Sequence, residues 1–216
     1  MLRIAALVTA LLLSALLSAG CGADWSGPHP VPSAVGALGP GFISSSPHPE
    51  ATITPSSGSW DDVHPSADYR VVLVTHGADA PTKNLVAAVE SWAGEVDADL
   101  RTVAVEDPHD LVPGITRALD MKPDLIISAG NDLVDPLALV TASHLSQQFL
   151  VVGAELAEPT HNVTSVDWQG ASFRGEGLGA SSAYDPASFT PERCAAAIRA
   201  GVAAVLNGLT GIVVWL

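Results

Sequence analysis

From residue 71 onward the chain alternates between short apolar runs and stretches with helical periodicity. Most of the short runs are rich in β-branched residues and have no polar interruption, which is typical of strands buried on both faces. They predict strands over residues 71–75, 100–105, 125–127, 149–152, 163–168 and 212–216. Strands of this kind belong to parallel sheets whose two faces are covered by helices.

Helical patterns fill the intervals between these strands. In residues 82–93, Leu85, Val89 and Trp92 fall on one face of the predicted helix. The other predicted helices begin where a capping residue precedes a proline in the first turn. These starts are Asp110, Asp135 and Thr190, and residues 170–183 are a further helix candidate. The alternating order predicts a single doubly wound α/β domain over residues 68–216.

The first twenty residues have the pattern of an export signal. Arg3 precedes an apolar run over residues 4–17, and small residues at 18–20 precede Cys21. This arrangement predicts a signal peptide over residues 1–20. Small residues ending in a cysteine resemble a bacterial lipobox, so we expect Cys21 to be lipidated and to anchor the chain on the extracytoplasmic face of the cell membrane. Ordinary secretion with cleavage nearby and an uncleaved helix are the alternatives.

Residues 21–67 show no apolar periodicity. Between residues 22 and 66 there are eight prolines, nine serines and six glycines. A segment of this composition is expected to bury too little apolar surface to offset the entropy lost on ordering. The sequence therefore predicts a disordered tether that holds the domain away from the membrane. The histidines in it are too widely spaced to predict a metal site.

Charge and cysteine content limit the partners of the chain. There are 9 Lys and Arg against 23 Asp and Glu, and the net charge is −14. Repulsion from phosphate argues against nucleic-acid binding. If Cys21 is lipidated, Cys194 has no partner for an intrachain disulfide, and neither cysteine belongs to a CxxC metal motif.

Polar residues follow the predicted strands where a ligand crevice would form. Loops at the carboxyl ends of parallel strands line such a crevice. The candidates are His76 and Asp79 after the first strand, Gly130, Asn131 and Asp132 after the third, Glu155 after the fourth, and Asp167 and Trp168 at the fifth. Together they would offer an aromatic face, amide donors and carboxylates for a nucleoside or sugar. The alternative is that these loops are merely polar and that Asp132 and Asp135 cap the next helix.

Catalytic motifs are not found in the sequence. There is no Gly-x-Ser-x-Gly elbow, and no phosphate-binding loop follows the first strand. The acidic and histidine candidates have no spacing that fixes a hydrolytic or metal site. We therefore expect neither an enzyme nor a bound cofactor.

Three segments resemble the basic membrane protein family, substrate-binding lipoproteins of ABC transporters that are similar to purine-nucleoside receptors. They are KPDLIISAGND at 122–132, NVTSVDWQGASFRGEGLGA at 162–180 and VTHGADAPTKNL at 74–85. The resemblance implies the first lobe of a type I periplasmic-binding fold, a nucleoside ligand and an ABC permease as partner.

The chain also departs from that family. Asn84 can take the place of the asparagine in the family's aromatic-Asn pair, but Lys83 stands where the aromatic residue is expected. The family's second lobe has no counterpart after residue 183. This favours an alternative hypothesis, in which a tethered interaction protein has lost small-molecule binding and meets a partner or a second copy of itself.

Overall fold

The computed structural model describes residues 24–43, 46–171 and 173–216. The predicted signal peptide and Cys21 lie outside the described residues. The strands are β1 (Ala34–Val35), β2 (Thr52–Ile53), β3 (His64–Pro65), β4 (Arg70–His76), β5 (Asp99–Val105), β6 (Leu125–Ala129), β7 (Gln148–Val152), β8 (Val163–Asp167) and β9 (Val213–Trp215). The helices are α1 (Ala80–Val96), α2 (Leu111–Asp120), α3 (Val134–Thr141) and α4 (Pro191–Leu206).

Seven of these strands form one parallel sheet in the order β2-β9-β8-β7-β6-β4-β5. β1 and β3 pair separately, in antiparallel orientation. β6 lies inside the sheet between β4 and β7, and all five of its residues are buried. The predicted doubly wound α/β lobe is confirmed.

Helices cover both faces of the sheet. Along β4, Val71 and Leu73 pack into the core beneath α1 and α4, whereas Val72 and Val74 pack into the core beneath α2 and α3. Successive side chains of a strand point to opposite faces, so a strand covered on both sides is mostly apolar along its whole length. This is why the central strands are continuous apolar runs in the sequence.

The predicted start of α4 is confirmed, whereas that of α3 differs in detail. α4 begins as expected, with the Thr190 hydroxyl accepting a hydrogen bond from the Arg193 amide at 3.3 Å. α3 begins at Val134, so Asp135 lies in the first turn and is not the N-cap as predicted. The reason is that a 3-10 turn over Asn131–Leu133 leads directly into the helix.

The predicted helix over residues 170–183 is wrong for the part of it that is described. This stretch contains Gly170, Gly175 and Gly177 with φ values of 103°, 117° and 74°. Such positive values lie outside the helical region and are readily adopted by glycine. The described part of this segment is an irregular loop.

No helix among the described residues is long and apolar enough to cross a membrane.

The prediction of a disordered tether needs correction for residues 24–43 and 46–67. Trp25, Phe42 and Trp60 are buried in the cores of the domain. β2 adds to the edge of the sheet beside β9, and the Glu50 amide donates to the Gly211 carbonyl at 2.7 Å. The physical reason is that a few large aromatic side chains bury enough surface to order a segment that has no periodic pattern.

Replacing Phe42 with alanine tests this correction. The Phe42 ring is 2% exposed and meets Trp60 edge to face at a centroid distance of 6.4 Å. We expect Phe42→Ala to lower the free energy of unfolding by about 3–5 kcal/mol, measured by urea denaturation. Val31→Ala, in the same segment but at an 89% exposed position, should leave stability unchanged. Equal stabilities of the two variants would contradict the docking of this segment.

Candidate functional site

The strand order reverses between β4 and β6. From β4 the chain passes through α1 to β5 on one side, and then through α2 to β6 on the other side. The loops that follow β4 and β6 therefore diverge, which opens a crevice at the carboxyl ends of these strands. A cleft of about 210 Å³ lies at this point. We call it the switch-point cleft, and it is lined by His76, Asp79, Pro81, Thr82, Leu85, Gly130, Asn131, Asp132, Tyr184 and Phe189.

Gly130 brings the two loops into close contact. Its φ is 124°, and a Cβ atom at this position would lie 2.4 Å from the His76 carbonyl oxygen. No other residue type fits both the backbone conformation and the space. The glycine predicted after the third strand is therefore required by the geometry of the cleft.

His76 lies at the base of the cleft with its ring orientation fixed. Its Nδ1 lies 2.8 Å from the Val105 carbonyl oxygen, which can only accept, so Nδ1 carries the proton. Its Nε2 lies 3.4 Å from Asp132 Oδ2. The His76 side chain is 12% exposed and that of Asp132 is 69% exposed. In the neutral ring, Nε2 is an acceptor, and in the protonated ring it pairs with Asp132.

Asp79 is the N-cap of α1. Its Oδ1 accepts a hydrogen bond from the Thr82 amide at 2.8 Å. A carboxylate in this position satisfies one of the unpaired amides at the start of the helix and interacts favourably with its dipole. One carboxylate oxygen remains for other contacts.

Tyr184 supplies an aromatic surface that sequence reasoning missed. Its side chain is 51% exposed, and its ring lies 6.0 Å from that of Phe189. Burial, with a smaller contribution from the nearby Asp79 carboxylate, raises the pKa of the Tyr184 phenol. The hydroxyl is therefore neutral at physiological pH and can donate a hydrogen bond. No sequence signal marks Tyr184, because it lies in an irregular loop and not at a strand end.

Trp168 and Asp167 lie in the core, which corrects the expectation that they line the crevice. Trp168 is 0% exposed, its Nε1 donates to Ser188 Oγ at 3.0 Å, and its ring packs edge to face on Phe189 at 4.9 Å. Asp167 is also buried, and its Oδ1 accepts from the Trp168 amide at 2.8 Å. Trp168 therefore supports the wall of the cleft from behind and offers no face to a ligand.

Glu155 and Asn84 are also occupied elsewhere. Glu155 is buried, forms an ion pair with Arg174 at 2.9 Å and accepts from the Ser181 hydroxyl at 3.1 Å. Asn84 donates from Nδ2 to the Phe189 carbonyl at 2.7 Å, which holds the loop before α4 against α1. The structure thus brings together five of the nine predicted ligand-binding residues: His76, Asp79, Gly130, Asn131 and Asp132. Within the described ranges, no three His, Cys, Asp or Glu residues are grouped as metal ligands.

Comparison with known proteins finds distant similarity to several solved structures. No protein-family model matches the chain, and no curated protein sequence matches it. One similar solved structure is a solute-binding protein of an ABC transporter system from Aeropyrum pernix K1. Its TM-score is 0.42 and its sequence identity is 20%, and the match covers 47% of this chain and 29% of the Aeropyrum pernix chain. A protein fragment from Peptoclostridium difficile 630 has a TM-score of 0.46 and 18% identity, and the match covers 65% of this chain and 99% of the fragment.

A periplasmic ribose ABC transporter structure from Conexibacter woesei DSM 14684 has a TM-score of 0.35 and 17% identity, with coverage of 69% of this chain and 54% of that one. The chain thus spans less than a third of the Aeropyrum pernix protein and about half of the Conexibacter woesei protein. These TM-scores and identities are low, so the functional proposal below rests on the switch-point cleft itself.

The variant Gly130→Ala tests whether the close approach of the two loops shapes the cleft. The added Cβ would meet the His76 carbonyl oxygen, and the positive φ would be strained, so we expect a loss of about 1–3 kcal/mol in unfolding free energy. Gly179→Ala is the matched control, since nothing lies within 4 Å of its Cβ position and its φ is not positive. Thermal denaturation of both variants measures the difference, and a Gly130→Ala protein as stable as the control would contradict this role.

Proposed function

We propose that the chain is a membrane-anchored, extracytoplasmic solute-binding or sensing lipoprotein that takes its ligand in the switch-point cleft. The observation that supports this most is the convergence of His76, Asn131, Asp132 and Tyr184 at the point where the strand order reverses. Clefts at such switch points are the usual ligand sites of open α/β sheets.

The size of the cleft limits the ligand. A volume of about 210 Å³ is below the roughly 300–1,000 Å³ typical of sites for drug-sized ligands. The cleft can hold a single sugar or part of a nucleoside.

The chemistry of the lining favours a neutral, hydroxylated ligand. Asp132 and Asp79 are hydrogen-bond acceptors for hydroxyl groups, and Asn131 both donates and accepts. Tyr184 offers a ring on which a base or a sugar face can stack. The described lining includes no Lys or Arg, so a phosphate group would meet carboxylates and be repelled. A nucleoside or sugar fits better than a nucleotide.

The resemblance of residues 74–85, 122–132 and 162–180 to the basic membrane protein family supports the finer proposal of a nucleoside ligand. The same resemblance implies an ABC permease as partner. Tyr184 then performs the stacking that Lys83 cannot perform.

A thermal-shift screen of the mature protein with nucleosides and sugars tests ligand binding. A true ligand at a hundredfold excess over its Kd should stabilise the fold by roughly 2.7 kcal/mol. Tyr184→Ala and Asp132→Asn should each weaken binding about tenfold, or about 1.4 kcal/mol, by isothermal titration. Leu139→Ala is the control at an exposed site outside the cleft. The absence of any shift, together with dimers in light scattering, would contradict the receptor function and favour an interaction protein.

The lipid anchor has its own test. Metabolic labelling with a palmitate analogue should mark the wild-type protein and place it in the membrane fraction. We expect Cys21→Ala to be unlabelled, because the lipid is attached through this thiol. Cys194→Ala is the matched control and should remain labelled, since Cys194 is buried in the domain. A Cys21→Ala protein that still labels would rule out this anchor.

A further inference from the structure

The first described residues are held at the end of the sheet opposite the switch-point cleft. Trp25 is buried, and its Nε1 donates to Asp99 Oδ2 at 2.5 Å. Asp99 is the first residue of β5. The indole is thus fixed to the amino end of an edge strand by a hydrogen bond to a charged acceptor, which is stronger than a bond between neutral groups.

Two arginines add to this contact. The Arg101 guanidinium carbon lies 4.0 Å from the centroid of the Trp25 ring, and that of Arg70 lies 5.6 Å from it. Arg70 also donates from Nη1 to the Trp25 carbonyl at 3.1 Å, and this bond is buried. Cation–π contacts of this kind are each worth about 0.5–2 kcal/mol, depending on exposure. The side chain and the backbone of Trp25 are therefore both held.

His29 makes a second attachment a few residues later. Its Nε2 lies 2.7 Å from Asp124 Oδ2, and the same oxygen accepts from the Arg70 amide at 2.8 Å. Asp124 directly precedes β6, and Arg70 begins β4. Residues 24–29 thus cross the amino ends of the three neighbouring strands β4, β5 and β6. We call this surface the amino-end face.

The length of chain between the predicted anchor and this attachment is short. Cys21 lies three residues before Asp24, and three residues span at most about 11 Å when fully extended. A lipid on Cys21 would hold the amino-end face close to the bilayer. The segment from residue 24 to residue 67 would not increase the distance between the domain and the bilayer, because the start of this segment is already attached to the domain.

We propose that the amino-end face lies on the membrane surface and that the switch-point cleft, at the other end of the strands, opens away from the membrane. This inference rests on the proposed lipid anchor at Cys21. The seven residues of β4 rise by about 23 Å along the strand, so the cleft lies at least that much farther from the bilayer if the strands stand upright.

The charge of the amino-end face is compatible with this placement. Arg70, Arg101 and Lys122 line a depression on it together with Asp24 and Asp120. These three are among only eight Lys and Arg residues from residue 24 to the last residue. Asp99 and Asp124 also lie on this face, so three cationic side chains stand there beside four carboxylates. Most of the acidic excess of the chain therefore lies elsewhere, and this face meets less repulsion from anionic lipid than the rest of the surface does.

Short-range fluorescence quenching tests the orientation. The full-length protein, extracted from bacterial membranes, is reconstituted in phosphatidylcholine–phosphatidylglycerol vesicles that carry a nitroxide on the lipid headgroups. An environment-insensitive maleimide dye is attached at Asp120→Cys, near the amino-end face, or at Glu106→Cys, after the carboxyl end of β5. Both positions are exposed. Cys194 can remain, because burial raises the pKa of its thiol to about 11 and slows its labelling.

We expect quenching at Asp120→Cys to be at least threefold stronger than at Glu106→Cys. Trp25→Ala in each labelled protein should reduce the difference, since it removes the ring that Arg101 and Asp99 hold. A second variant avoids any loss of folding: an insertion of about twenty Gly and Ser residues after Ala23 has a mean span of roughly 25 Å and should lower quenching at Asp120→Cys.

The possible outcomes separate the two proposals. Equal quenching at both sites in a protein that carries the palmitate label would overturn the orientation and leave the anchor standing. Stronger quenching at Glu106→Cys would reverse the orientation. A protein without the palmitate label that does not bind the vesicles would overturn the anchor and, with it, this inference.

Discussion

The structure depends on the requirement that both faces of a parallel sheet be shielded from water. β6 is buried at every residue, and its neighbours β4 and β7 are buried over most of their lengths. α2 and α3 cover one face, and α1 and α4 cover the other. Phe42 and Trp60 complete the second of these layers. The described residues before residue 68 therefore contribute to the core of the domain.

The parts of the fold that could be predicted are those in which neighbouring residues share one environment. The apolar run at 125–127 marks a strand because every side chain in it is buried, and Leu85, Val89 and Trp92 mark one face of a helix. Trp25 has no such local pattern. Its partner Asp99 lies 74 residues away. The composition of residues 22–66, which is dominated by proline, serine and glycine, therefore predicts disorder, although isolated aromatic contacts order the described part of this segment.

The candidate site likewise contains residues that could be predicted from the sequence and residues that could not. The rule for strand ends placed His76, Gly130, Asn131 and Asp132 together, because the carboxyl ends of parallel strands share one edge. The rule could not tell which residues turn inward: Trp168, just after β8, points into the core. Tyr184 reaches the cleft only through the course of an irregular loop, which depends on glycines with positive φ and on the contact between Asn84 and the Phe189 carbonyl.

The pairing of β2 with β9 has a consequence for how the protein folds while it is being synthesised. β2 is synthesised early, yet its partner strand comprises residues 213–215, more than 150 residues later. During translation this edge must wait until residues 213–215 have been synthesised. Contacts between residues so distant in sequence slow folding, because a long loop must close before they form. A truncated chain that stalls before β9 would expose the edge of β8 and become a natural target for quality-control proteases.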